Sequence, residues 1–198
     1  TMDGNKSIMA RFTNQPPTIT TQPFSSTVVF GGEASLVVEA EGGGPFTYQW
    51  KLSGNEIAGA TSASYVIDSV TEKDAGFYTV TVSNEAGSTV STPARLGVNY
   101  KITRQVIGFG VLQVNPNKAS YAPDTKVTIT AKPSEGYGFA GWSGSIEGKE
   151  IEVTLTMDGN KTVNARFERL PFITKQIVGK TVVAGESVSF EVQASGGG

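Results

Sequence analysis

Residues 65–80, YVIDSVTEKDAGFYTV, decide the fold of the first half of the chain. The stretch holds an alternating strand, a turn, and a second strand in which Tyr78 and Val80 share one face. Asp74, Gly76 and Tyr78 stand two residues apart across the turn. The same alternation of period two recurs in SLVVEA (35–40), FTYQWKL (46–52) and GFYTVTVSN (76–84). The pattern predicts half-buried β-strands that pack on a common core.

The composition of the whole chain also favours an all-β fold. Of 198 residues, 24 are glycine, and Thr, Val and Ser form short runs separated by Gly, Pro, Asn and Asp. No segment keeps a helical period for long. With 16 basic and 18 acidic residues evenly spread, no phosphate-binding surface is expected, so nucleic acid is not a predicted partner. No apolar run approaches the roughly 18 residues that span a bilayer, so membrane insertion of this segment is not predicted.

The absence of two residue types narrows the chemistry further. The chain contains neither cysteine nor histidine. Disulfides, thiolate or imidazole metal sites and histidine-based catalysis are therefore excluded. We expect no cofactor and no catalytic residues.

The chain repeats itself. TMDGNKSIMARF (1–12) returns as TMDGNKTVNARF (156–167), with nine of twelve positions identical, and residues 18–44 align with 172–198 at an offset of 154. Such repetition predicts a tandem array of alternating modules. Its expected segments are a closing strand of one repeat with a linker (1–15), a complete module X (16–98), a complete module Y (99–169) and the first strands of another module X (170–198). We expect adjacent segments to complete the partial modules at the two ends, either within a longer chain of the same array or by head-to-tail assembly of separate chains.

Module X resembles an immunoglobulin domain of the intermediate type. The resemblance rests on Trp50, on the run Asp74 to Val80, on the hairpin at 84–87, and on apolar positions of the second and fifth strands. It implies a β-sandwich in which Val38 and Val80 occupy the two disulfide positions that flank Trp50, and Tyr78 forms the tyrosine corner. The valine pair implies an inter-sheet contact that needs no oxidising compartment.

Module Y resembles the divergent internalin B-type repeat of bacterial surface proteins. The motif is GYGFAGWSG (136–144) together with the terminal Ala165, Arg166 and Phe167. The resemblance implies a small β-rich module, either β-grasp-like or a compact sandwich. Independently, the turn at Asp158-Gly159-Asn160 predicts a hairpin between the last two strands, since DG and NG favour tight turns.

Three kinds of candidate site follow from the residues. Tyr121, Tyr137 and Trp142 could stack on a sugar ring, although a core role for Trp142 is the favoured interpretation. The segment from Asp158 to Thr162 begins like a calcium loop but lacks its glycine and glutamate, so no metal site is predicted. Lys51 and Lys126 point outward by alternation, so no isopeptide bond is predicted. The predicted structural core consists of Val38, Trp50, Tyr78, Val80, Phe139, Trp142 and Phe167.

These observations favour a structural function. The chain is expected to be a non-catalytic repeat segment of a bacterial extracellular fibre, stalk or adhesin shaft, secreted or on the cell surface. The alternative is a carbohydrate- or protein-binding accessory module of a large secreted protein or enzyme, with a glycan or a host or neighbouring-cell surface protein as partner. Exposed side chains of Trp142 and Tyr121 would favour the binding function, and buried ones would favour the structural function.

Overall fold

The structure is a computed structural model that describes residues 15–196. The predicted closing strand in residues 1–12 therefore lies outside the described residues. Between residues 15 and 196 the chain is all-β, with a single 3₁₀ turn at Glu72–Asp74 and no α-helix. It divides into two compact units between Asn99 and Tyr100.

Module X is a sandwich of short strands. Its strands are β1 (Thr18–Thr21), β2 (Ser26–Val29), β3 (Ala34–Val37), β4 (Glu39–Glu41), β5 (Thr47–Leu52), β6 (Asn55–Glu56), β7 (Ser64–Ile67), β8 (Gly76–Asn84), β9 (Gly87–Val90) and β10 (Ala94–Asn99). One sheet has the order β2-β10-β8-β5-β6, with β9 also beside β8, while β3 pairs with β7 and β1 with β4. The Tyr65 ring of β7 lies 6.3 Å from Trp50 and 6.0 Å from Tyr78, which places the two layers face to face.

Module Y is a smaller sandwich. Its strands are β11 (Ile102–Ile107), β12 (Gly110–Asn115), β13 (Lys126–Pro133), β14 (Tyr137–Gly144), β15 (Glu152–Thr156) and β16 (Lys161–Arg169). They form two three-stranded sheets of order β11-β16-β14 and β12-β13-β15. Phe167 of the first sheet packs against Gly110 of the second, where an added Cβ would lie 2.6 Å from the ring. Of the two expected architectures, the structure has the sandwich.

The predicted hairpin at Asp158-Gly159-Asn160 is wrong. β15 and β16 belong to different sheets, so the turn carries the chain from one layer to the other. The reason is Met157, which is fully buried and exchanges 2.9 Å backbone hydrogen bonds with Thr125 (Met157 N–H to Thr125 O) and Asp124 (Asp124 N–H to Met157 O). On the far side, the Lys101 N–H donates to Asn160 Oδ1 at 2.8 Å.

In each module the first strand of one sheet runs parallel to the last strand of the module. In module X, β2 pairs in parallel with β10 over four register positions, Ser26 to Val29 against Leu96 to Asn99. In module Y, β11 pairs in parallel with β16 over six, Ile102 to Ile107 against Lys161 to Arg166. The chain therefore enters each of these modules at one pole and leaves it at the opposite pole.

The chain continues into β17 (Phe172–Lys175) and β18 (Gln193–Ser195). Phe172 pairs with Ser195, Ile173 with Ala194 and Lys175 with Gln193, with one irregularity. At the offset of 154 these are the pairs that β1 makes with β4, irregularity included. β17 and β18 therefore repeat the register of β1 and β4.

Candidate functional site: the aromatic clusters

Trp142 lies in the core of module Y rather than on its surface. Its side chain is 6% exposed, and its indole Nε1–H donates to Glu150 O at 2.7 Å. The Phe139 ring lies 4.7 Å from Trp142 and 5.7 Å from Phe167, which is also buried. Phe139 itself is half-buried, and the register of β14 is irregular between Phe139 and Gly141. With its face covered and its N–H bonded, Trp142 offers no stacking surface.

Tyr121 is also unavailable for stacking, which corrects its assignment as a ligand contact. It is 3% exposed and forms an isolated bridge with Tyr100. Its hydroxyl donates to Pro116 O at 2.9 Å and accepts from the Lys118 N–H at 3.1 Å. The ring supports the loop before β13. Alternation could not show this, since Tyr121 stands outside any predicted strand.

Tyr137 belongs to a different cluster, one that sequence reasoning missed. Its ring lies 5.0 Å from that of Phe109, which is 64% exposed. Glycines flank both residues, in GFG (108–110) and GYG (136–138). An added Cβ on Gly108 would lie 2.0 Å from Phe167 O, so the loop wraps the core too closely for any larger residue. Within residues 15–196 no ring contact joins Tyr137, Tyr121 and Trp142.

The predicted core residues of module X are all buried. Trp50, Val38, Tyr78 and Val80 are each at most 1% exposed, and Trp50 Nε1–H donates to Ser62 O at 2.9 Å. The Tyr78 hydroxyl donates to Asp74 O at 2.7 Å, closing the corner turn. Burial, with a smaller effect of the Asp74 carboxylate, raises the pKa of Tyr78 well above its usual value. These contacts hold the fold together.

Several charged side chains in the described part of the chain form ion pairs. Among residues 15–196 no group of three or more acidic side chains could hold a metal ion. Asp158 pairs with Lys161, and the hydrogen bond from that ammonium lowers the pKa of the exposed carboxyl. Lys51 lies 3.4 Å from Glu56 in a surface ion pair. Over the same residues, no helix has the length and apolar character needed to cross a bilayer.

Two family models match successive parts of the chain. Residues 16–84 match the immunoglobulin domain, and residues 100–171 match the divergent InlB B-repeat domain. The chain therefore carries an immunoglobulin-like domain followed by a divergent B-repeat domain, as the sequence motifs predicted. Both are modular β domains.

Two curated relatives share part of the sequence. Endoglucanase C of Cellulomonas fimi is 31% identical over 86 residues, which are 41% of this chain and 8% of that protein. The decoration protein of Escherichia phage T5 is 41% identical over 61 residues, which are 30% of this chain and 37% of that protein. The chain thus spans well under half the length of either relative. Together with the family matches, they mark it as a modular accessory or structural segment.

Solved immunoglobulin structures are similar at low identity. Sidekick-1 immunoglobulin domains 1–5 give a TM-score of 0.43 at 18% identity, covering 92% of this chain and 46% of that one. The titin domain M7 gives 0.39 at 27% identity, covering 43% of this chain and 96% of that one.

Proposed function

We propose that this chain is a non-catalytic, load-bearing segment of a bacterial extracellular fibre, stalk or adhesin shaft. The observation that carries the proposal is the parallel pairing in each complete module: β2 with β10, and β11 with β16. Adjacent copies in the same array are its partners.

The parallel geometry determines how a pulling force acts. When a chain is pulled at its ends, the parallel partners β2 and β10, or β11 and β16, slide along each other. All hydrogen bonds of the ladder are then loaded together, six register positions in module Y and four in module X. An antiparallel terminal pair would open one bond after another. A module closed in parallel therefore resists extension.

Burial of two of the three candidate binding residues supports the same function. Tyr121 and Trp142 are enclosed, with their polar atoms bonded to backbone groups. Val38 and Val80 are both buried in module X and the chain has no cysteine, so the stability of the module does not depend on redox conditions. Both features are those expected of spacer modules at a cell surface or in a secreted protein.

Single-molecule stretching of the full chain, held at its two ends, tests the proposal. Gln105→Pro interrupts the β11 ladder halfway, because proline has no N–H and restricts the residue before it. We expect the force that unfolds module Y to fall to about half in this variant, in proportion to the register positions lost.

The matched control is Ile129→Ala, a buried substitution in β13 of the other sheet. It removes packing but leaves the β11 and β16 ladder intact. At an equal loss of unfolding free energy in urea, Ile129→Ala should lower the unfolding force much less than Gln105→Pro. Equal forces for the two variants would contradict the load-bearing function.

The accessory-module function is the second candidate. The likeness to Endoglucanase C favours it, because this chain would then be a non-catalytic part of a large secreted enzyme or protein that binds a glycan or a surface protein. Glycan-array binding by the full chain that is lost in Tyr137→Ala, with an unchanged circular dichroism spectrum, would favour this candidate over the shaft.

A further inference from the structure

The exposed pair Phe109 and Tyr137 lies at the pole where the chain leaves module Y. Tyr137 is the cross-strand partner of Arg169, the last residue of β16. The next residue, Leu170, donates its N–H to Gly136 O at 2.8 Å. The aromatic pair therefore stands beside the start of the following immunoglobulin-like module.

Leu170 is held on both sides, so little free linker remains at this junction. Its side chain covers Gly138, where an added Cβ would lie 2.9 Å from Leu170 Cδ2. Its carbonyl oxygen lies against Gly196 of the next module, since a Cβ added to Gly196 would be 2.7 Å from Leu170 O. One residue before Leu170, at the end of β16, the Arg169 guanidinium lies 4.3 Å above the Phe172 ring. The start of the next module is thus already seated on module Y.

Module X shows what the complete N-terminal pole of such a module looks like. Gly42, the counterpart of Gly196, approaches Pro16 O, with an added Cβ at 2.8 Å. The Gly43 N–H and the Asn84 side-chain amide both donate to Gln15 O, at 3.1 and 2.6 Å. The pole of a complete module therefore consists of loops 42–45 and 84–87 packed around the incoming chain.

We infer that Phe109 and Tyr137 form a docking seat for the N-terminal pole of the following immunoglobulin-like module, in particular for its counterpart of loop 84–87. The seat continues the contacts of Leu170 with Gly136, Gly138 and Gly196. It gives a partner to Phe109, a large apolar ring that is 64% exposed beside these contacts. The inference deepens the proposed shaft function and rests on it, since a seated junction makes the array stiff.

The test compares the 198-residue chain with the same chain extended after Gly198 by its own residues 45–99. Residue 198 aligns with residue 44, so the extension completes the second module in register. Phe109→Trp places a fluorescent reporter on the seat. We expect acrylamide quenching of this tryptophan to fall about threefold in the extended chain, as for a side chain buried in an interface core.

The matched control is Phe24→Trp, an equally bulky exposed position in the loop between β1 and β2 of module X, 77% exposed. Its quenching should be the same in both chains. Unchanged quenching at position 109 on extension would overturn the inference. Protection of the reporter in the 198-residue chain by soluble cello-oligosaccharides would also overturn it, by assigning the pair to a sugar.

A second measurement reads the stiffness of the junction. Because the chain has no cysteine, spin labels at Gln113→Cys in module Y and Ser187→Cys in the next module report one distance distribution. Phe109→Ala in the extended chain should broaden that distribution about twofold, while Phe24→Ala leaves it unchanged. An unaltered distribution in Phe109→Ala counts against the seat. If quenching decreases in the extended chain as expected, but Gln105→Pro and Ile129→Ala unfold at equal forces, the shaft function is rejected and the docking seat is kept.

Discussion

Trp50 and Trp142 play the same part in two different sandwiches, and the way they differ is informative. Each indole donates its N–H to a carbonyl in the segment that follows its own strand, Ser62 for Trp50 and Glu150 for Trp142. Trp50 lies on β5, inside a sheet and under Tyr65 of the other layer. Trp142 lies on the edge strand β14 and packs with Phe139, whose ring also contacts Phe167. Module X therefore depends on contacts between sheets, and module Y on one local cluster.

The largest expected effect comes from removing the two indoles. Trp50→Ala should lower the unfolding free energy of module X by about 3–5 kcal/mol, because a fully buried aromatic leaves a cavity that the surroundings cannot close. Trp142→Ala should cost module Y about 3 kcal/mol, the low end of that range, since an edge position collapses more easily. Urea titration followed by amide NMR signals of each module measures both losses. Equal losses of unfolding free energy would show that the two modules depend on their tryptophans to the same extent.

The corner turn of module X gives the next effect. Tyr78→Phe removes the hydrogen bond to Asp74 O and should cost about 1 kcal/mol of unfolding free energy in urea. Tyr65→Phe is the matched control, because that ring has similar neighbours but its hydroxyl makes no such bond. A loss as large in Tyr65→Phe as in Tyr78→Phe would show that the corner bond contributes little.

The same tyrosine predicts an alkaline weakness of module X. Burial raises the pKa of Tyr78 above the ordinary value of 10.0, so the folded state holds this proton more tightly than the unfolded state. The contribution of protonated Tyr78 to the stability of module X is complete below pH 10 and decreases as the pH rises above 10. Urea midpoints measured at increasing pH should therefore decrease above pH 10, and less steeply in Tyr78→Phe. An identical decrease in both proteins would rule out Tyr78 as a cause.

The smallest effects concern the sheet crossing of module Y. Asn160→Ala removes the acceptor of the Lys101 N–H and should cost less than about 1 kcal/mol, because water can replace it at an exposed site. Asp158→Asn, which removes the exposed ion pair with Lys161, should not measurably shift the thermal midpoint. A larger effect of Asp158→Asn than of Asn160→Ala would mean that the ion pair, not the amide, fixes the crossing.

Module X could be predicted closely because its decisive signals are local. Alternation around Trp50 and the spacing of Asp74, Gly76 and Tyr78 describe both the strands and the corner within a few residues. The Asp158 turn misled for a physical reason: a DG turn indicates that the chain reverses, but not which sheet receives the next strand. Here the buried Met157 determines which sheet receives the next strand, because it is hydrogen-bonded to Thr125. Thr125 lies 32 residues away in the sequence.

The candidate site shows the same limit. Tyr137 was recognised as an aromatic next to glycines, but its neighbour Phe109 comes from a distant loop and lacks any motif. Tyr121 resembled a surface ring because no strand pattern surrounds it, whereas the fold encloses it through Pro116 and Lys118. Contacts between loops depend on the tertiary arrangement, which alternation within strands does not encode.

The position of β16 has a consequence for synthesis of the protein. β16 is the central strand of its sheet, with β11 on one side and β14 on the other, yet it is the last strand of module Y to leave the ribosome. Until Lys161–Arg169 emerges, the two outer strands have no partner in that sheet, and the Phe139 ring lacks its contact with Phe167. Strand pairings between residues far apart in the sequence form slowly. Here they cannot form before β16 has been synthesised. Each repeat of module Y is therefore expected to fold only once its final nine residues are complete.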